Sequence, residues 1–196
     1  MRFIGIIGEP CAGKTTITRK ILEKLGTWTE LKEPYILAMH YEQAKVIVLG
    51  MYDDQLFSGT DRLSMAVEPK MKEWLLKIKD QYPDHTVYFE GDRLGTLNFM
   101  TWLNQNFKQN HFFYIDASDD VKHFRHTNRG DTQTDKFLKG RETKYKNILH
   151  GMNGIIMLMN DNTDDLRVCV ELIENAIVNP TADFSTLKKS KKVGLF

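Results

Sequence analysis

Gly8-Glu9-Pro10-Cys11-Ala12-Gly13-Lys14-Thr15 reads G-x-x-x-x-G-K-T, the pattern of a phosphate-binding P-loop. Arg2-Phe3-Ile4-Gly5-Ile6-Ile7 precedes it, an apolar run short enough for a buried parallel strand. Behind it, Ile17, Ile21, Leu22 and Leu25 fall on one helical face, and Gly26 supplies a stop. Strand, glycine loop and helix in that order are the context the motif requires.

The residue types follow from the chemistry. Gly8 and Gly13 let the backbone turn so that its N–H groups point inward at phosphate oxygens. The positive end of the following helix adds to that field. The stretch from Gly8 through Glu9, Pro10, Cys11, Ala12, Gly13, Lys14 and Thr15 to Thr16 is therefore expected to wrap a nucleotide's phosphates. Lys14 is expected to reach the β- and γ-phosphates, and the Thr15 hydroxyl to ligate Mg²⁺. ATP and Mg²⁺ are the expected cofactors. The motif specifies a nucleoside triphosphate site and leaves the fate of the γ-phosphate open.

A chain of 196 residues is expected to form one domain with a substantial core. With 41% hydrophobic and 27% charged residues, it has the balance of a soluble globular protein. The net charge of +1 gives no global field toward nucleic acid or membrane, so any polyanion must meet a local basic patch. Cys11 and Cys169 form no disulfide framework, and a cysteine inside the P-loop suits a reducing cytoplasm. No apolar run approaches the roughly 20 residues needed to span a bilayer, and no signal peptide is visible.

Along the chain, apolar runs alternate with amphipathic ones. Thr27 to Pro34 reads as a connecting segment, and Tyr35–Tyr41 with Lys45–Tyr52 as a hairpin with weak turn residues. Met71, Trp74, Leu75 and Ile78 make the core stripe of a helix with Pro69 in its first turn. Thr86–Phe89 is a short strand running into Glu90. Phe99, Met100, Leu103 and Phe107 mark a helix, and His111–Ile115 a strand. A helix from Asp119 to Arg129 leads into a polar stretch, Gly130 to Lys139. Another helix carries Arg141, Lys144, Tyr145, Ile148 and Leu149. Ile155–Met159 is the last strand, and Leu166, Cys169, Val170, Ile173 and Ile177 lie on the last helix, capped by Asn162 or Thr163. The pattern predicts an α/β, three-layer P-loop NTPase fold: a mainly parallel sheet, helices on both faces and a helical lid. The domain is expected over 1–180 with the lid at about 125–144, followed by a basic, mobile tail at 181–196.

Loops at the carboxyl ends of the strands should converge on one edge. Two of them place an acid beside an arginine, Asp61-Arg62 and Asp92-Arg93. Glu90, ending a buried strand, is expected to serve the metal with Thr15. Asp61 is expected to be the base for an acceptor hydroxyl; capping the next helix is its ordinary alternative. Arg62, Asp92, Arg93, Arg125 and Lys144 are expected on the substrate side. Arg129 and Arg141 are expected to clamp the transferring phosphate, although a solvated charged hairpin would show the same pattern. His123 and His126 lack partners at metal-ligand spacing.

Three blocks carry a resemblance. They are Gly8 to Thr15; Leu49-Gly50-Met51-Tyr52 leading to the run from Phe57 to Val67; and Gly140-Arg141-Glu142-Thr143-Lys144. Over about residues 2–178 the chain resembles P-loop kinases of the thymidylate-kinase-like group, and most specifically phage 5-hydroxymethyluracil DNA kinases. That resemblance implies phosphorylation of the hydroxymethyl group of the modified base in DNA, a step of thymidine hypermodification that protects phage DNA from host restriction. It implies DNA containing 5-hydroxymethyluracil as partner, and the host cytoplasm as location. A kinase of free deoxynucleotides and a P-loop ATPase switch are the competing readings. The oligomeric state is not legible in the sequence.

Overall fold

A computed structural model describes residues 1–53, 58–128 and 133–184. The strands are β1 (Arg2–Ile7), β2 (Thr29–Glu33), β3 (Ile36–Tyr41), β4 (Val46–Leu49), β5 (Thr86–Glu90), β6 (His111–Asp116) and β7 (Ile156–Met159). The helices are α1 (Lys14–Leu25), α2 (Glu68–Ile78), α3 (Leu97–Asn106), α4 (Asp119–Asn128), α5 (Asp135–Gly151) and α6 (Thr163–Val178). One sheet holds the seven strands in the order β2-β3-β4-β5-β1-β6-β7. From β4 to β7 all neighbours are parallel; β3 is antiparallel to both β4 and β2.

The apolar strands explain the layering. Every residue of β1, β4 and β5 is buried, so both sheet faces must be covered. On one face, Phe3, Ile47, Val87 and Phe89 pack with Met71, Trp74 and Leu75 of α2, Phe99 and Leu103 of α3, and Tyr145 and Ile148 of α5. On the other, Ile4, Ile6, Val48 and Tyr88 pack with Ile17 and Ile21 of α1 and Val170 and Ile173 of α6. The expected three-layer α/β fold is present. No helix among the described residues is long and apolar enough to cross a membrane.

The structure differs from the sequence expectations at three places. The segment read as a connection at Thr27–Pro34 contains β2, an edge strand with Leu31 half-buried against the core. Its exposed face is polar, as edge strands require, which hides the apolar signal. The polar stretch read to Lys139 ends earlier, because Thr134 caps α5 by accepting from the Phe137 N–H. The tail is not free from residue 181. Phe184 is 4% exposed, with its ring edge-on to His111 and Phe113. The expected hairpin is β3–β4, turned through Lys45 at φ +52°, and Asn162 caps α6. Residues 129–132 lie outside the described residues, Arg129 among them, as does the tail beyond 184.

Candidate active site

The P-loop leaves β1, which lies between β5 and β6 in the sheet, and enters α1 at Lys14. Its glycines are imposed by geometry. At Gly8 (φ +146°) a Cβ would lie 2.2 Å from the Ile115 carbonyl oxygen, and at Gly13 (φ +90°) 2.3 Å from Asn160 Nδ2. Lys14 Nζ donates to the carbonyls of Gly8 (2.7 Å) and Glu9 (2.8 Å), which places the ammonium over the loop. The Glu9 carboxylate turns away from the cleft to Lys122 Nζ at 2.9 Å, so Glu9 belongs to the site through its backbone. Burial opposes the Lys122 charge, but Glu9, Asp119 and Asp116 outweigh it and raise the ammonium well above its ordinary value.

Thr15 opens the first turn of α1 and faces Glu90, the last residue of β5. Thr15 Oγ1 is 3.4 Å from each carboxylate oxygen of Glu90. Glu90 is 6% exposed, and burial pushes its carboxyl up, against the opposing pull of Lys14 and the Tyr52 hydroxyl. Tyr52 donates to Glu90 Oε2 at 2.9 Å, and Thr60 Oγ1 to the Glu90 carbonyl at 2.7 Å. A hydroxyl and a buried carboxylate form an all-oxygen donor pair suited to Mg²⁺. The pair fits the metal expected beside a P-loop.

The loops after β4 and β5 build one wing of the cleft. Asp61 lies in a 3-10 turn, Thr60–Arg62, with its side chain about half exposed and Oδ1 4.0 Å from Arg93 Nε. It does not cap α2, whose cap position is Val67. Burial raises the Asp61 carboxyl, and Asp92 adds to this, while Arg93 opposes it. Asp92 is clasped by α5: Arg141 Nη1 lies 2.9 Å from Oδ2, Lys144 Nζ 3.3 Å from Oδ1, and the Tyr145 hydroxyl donates to Oδ1. Burial pushes the Asp92 carboxyl up, but Lys144, Tyr145 and Arg141 together hold it below its ordinary value.

The loops after β6 and β7 build the other wing. Arg125 donates to the carbonyls of Cys11 (3.3 Å) and Asn160 (2.8 Å), and the Asn160 amide to the Ala12 carbonyl (2.7 Å). Between the wings runs a cleft of about 990 Å³ floored by Gly8, Gly13, Lys14, Thr15 and Thr16.

Asp61, Glu90, Asp92 and Arg93, on the strand ends and loops expected to converge, meet Arg125 of α4 and Arg141 of α5 at one cleft. Lys144 reaches its edge through Asp92. Arg62 does not join them. Its guanidinium pairs with Asp53 at 2.6 Å and borders a separate groove with Lys32 and Tyr35. Sequence reasoning missed Tyr52, Tyr145 and Asn160. Tyr145 was hidden in an apolar helical stripe. Asn160 was legible by a rule close to the one that found Glu90, a polar residue at the carboxyl end of a strand, here the one directly after β7.

No protein-family model matches the chain, and no curated protein matches it. Among solved structures, an unliganded sugar kinase from Janibacter sp. is similar with a TM-score of 0.52 and 15% identity, over 92% of this chain and 96% of that one. Deoxyadenosine kinase from M. mycoides with bound dATP gives a TM-score of 0.39 and 16% identity, over 88% and 97%. The sugar kinase shows that this fold is shared with a known kinase.

Proposed function

We propose that the protein is a kinase that transfers the γ-phosphate of ATP to an alcohol, and that the alcohol is the hydroxymethyl group of 5-hydroxymethyluracil in DNA. The observation that carries the alcohol is the state of the acceptor wing. Of the cations expected there, Arg62 is tied to Asp53, and Arg141 and Lys144 to Asp92. A phosphate as the group that accepts the γ-phosphoryl would need those cations free to neutralise it. A hydroxyl needs a carboxylate instead, and Asp61 lines the cleft with Arg93 Nε 4.0 Å from its Oδ1. The modified base and the phage setting rest on the resemblance of the three sequence blocks.

Lys14 is within reach of the phosphates, since its ammonium already lies over the loop. The P-loop N–H groups and the α1 N-terminus hold the β- and γ-phosphates. Thr15 and Glu90 would hold Mg²⁺, which when bound neutralises phosphate charge. Asp61 takes the acceptor proton as the acceptor oxygen bonds to the γ-phosphorus; the bridging bond to the β-phosphate breaks and ADP leaves. Arg93, which lines the cleft, faces the charge spread over the transferring group.

The near-neutral chain favours a second reading, a kinase of free deoxynucleotides, since polymer affinity comes largely from phosphate contacts. Labelled ATP separates the two when offered with 5-hydroxymethyluracil DNA, thymine DNA, or free thymidylate and 5-hydroxymethyldeoxyuridylate. Label on the modified DNA alone is the expected result. Label on thymidylate alone overturns the proposal, and ATP hydrolysis without transfer points to a switch.

A further inference from the structure

We propose that Tyr52 is a positioning residue that aims the Glu90 carboxylate at Thr15; this rests on the reading of Thr15 and Glu90 as a Mg²⁺ site. A glutamate at a strand end has three rotatable bonds, and 3.4 Å from Thr15 is a separation that a small rotation would destroy. Something must fix the carboxylate before a metal can use it. Tyr52 does so by donating to Oε2 at 2.9 Å, and it leaves Oε1 to other partners. The phenol is the donor, because the carboxylate has only lone pairs to offer.

The chain goes to some length to put the phenol there. Gly50 and Gly59 bring two backbone segments into contact. A Cβ on Gly50 would lie 2.1 Å from the Gly59 carbonyl oxygen, and both glycines have positive φ. Met51 and Gly59 then exchange backbone hydrogen bonds, with the Gly59 N–H donating to the Met51 carbonyl at 2.6 Å. This pinch turns Tyr52 inward. The space its hydroxyl fills is the space a Gly59 side chain would need, since a Cβ there would lie 2.5 Å from Tyr52 Oη and 3.3 Å from Glu90 Oε2. The next residue, Thr60, donates to the Glu90 carbonyl. Glu90 is thus held at its carboxylate and at its backbone by the same β4-to-turn segment, which also carries Asp61. Tyr88, the neighbouring tyrosine on β5, spends its hydroxyl on Thr18 at 2.6 Å and gives an internal control.

Partners that orient a metal ligand are worth about 10- to 100-fold in metal affinity. The test measures Mn²⁺ binding by electron paramagnetic resonance in the presence of ADP, with Mn²⁺ standing in for Mg²⁺ at oxygen donors. Tyr52→Phe removes one oxygen atom and is expected to weaken Mn²⁺ by about 10- to 100-fold. ADP affinity in EDTA should stay near that of the wild type, and the melting temperature should fall by only a few degrees, as the buried Glu90 carboxylate loses one donor. Tyr88→Phe should leave Mn²⁺ affinity unchanged. Wild-type affinity in Tyr52→Phe overturns the proposal, and so does an equal loss in Tyr88→Phe. Glu90→Gln tells the two levels apart. If Glu90→Gln weakens Mn²⁺ and Tyr52→Phe does not, the role of Tyr52 alone falls. If Glu90→Gln has no effect, the metal site falls and takes this role with it.

Discussion

Arg141 on α5 lies 2.9 Å from the carboxylate of Asp92 on the loop after β5, so the helix that brings cations to the cleft is already fastened to it. Lys144 and Tyr145, on the same helix, bind the same carboxylate. Replacing Asp92 with alanine takes this acceptor from Arg141 and from the buried Tyr145 hydroxyl, while Lys144 keeps the backbone carbonyl at 2.9 Å, and should cost about 1–3 kcal/mol of stability. The pH sense follows from Asp92's lowered value. A depressed carboxyl stabilises the fold above its ordinary pKa, and that contribution is lost as pH falls through the folded value. The difference in melting temperature between wild type and Asp92→Ala should therefore persist at neutral pH and close only below the usual carboxylate range. A difference that vanishes at neutral pH would show the clasp to be unimportant.

Lys14→Ala should abolish transfer and leave the fold intact. The lysine's hydrogen bonds go to two loop carbonyls rather than into the core. Its loss removes charge stabilisation of the phosphates, which is worth on the order of 10²-fold or more in rate. Circular dichroism and a transfer assay on the same preparation decide it. Near-wild-type turnover in a folded variant would falsify the P-loop assignment.

The parts of this site legible in sequence were those fixed by backbone position. Gly8, Gly13, Lys14 and Thr15 occur at fixed spacing because the phosphate cradle is made of main chain, and Glu90 ends an apolar strand. Arg62 shows where that reasoning stops. A residue next to Asp61 in sequence points elsewhere in space, because Asp53 captures it. Tyr52 and Tyr145 were invisible as polar groups, since a tyrosine in an apolar run reads as core until its hydroxyl is located. β2 was missed because an edge strand buries only one face, and here Leu31 is its only half-buried apolar residue.

Glu90→Gln should stabilise the metal-free protein while impairing function. The Glu90 carboxyl is raised, chiefly by burial. A raised acid binds its proton more tightly when folded, so the cost of ionising it is absent below the ordinary carboxylate pKa and grows as pH rises through the folded value. Glutamine carries no charge and still accepts from Tyr52. Without Mg²⁺ at neutral pH, its melting temperature should exceed that of wild type by a few degrees, with the gap narrowing in acid. A lower melting temperature at neutral pH would mean that the carboxylate supports the fold.

Phe184→Ala should destabilise the chain by about 3 kcal/mol, the usual cost of removing a buried aromatic. The ring is 4% exposed and meets His111 and Phe113 edge-on, at centroid distances of 5.1 and 5.5 Å. For a chain of this size the melting temperature should fall by roughly 6–12 °C. A fall within about 1 °C would return residues 181–184 to the free tail expected from their composition.

Asp61→Asn tests the base. Asp61 lines the cleft beside Arg93, and the cap of α2 is at Val67, so the ordinary structural role of an aspartate before a helix is already taken away. Asparagine keeps the size and most of the hydrogen bonding but cannot take a proton. Turnover of the folded variant should fall by roughly 10²- to 10⁴-fold, with the melting temperature little changed. The raised Asp61 carboxyl adds a pH signature. A base works ionised, so wild-type turnover should rise with pH through a value above that of an ordinary aspartate. Asp61→Asn should lose this limb. Normal turnover in Asp61→Asn, or an unchanged acid limb, would remove Asp61 from the chemistry and leave Asp92, already bound by three donors of α5, as the remaining carboxylate of that wing.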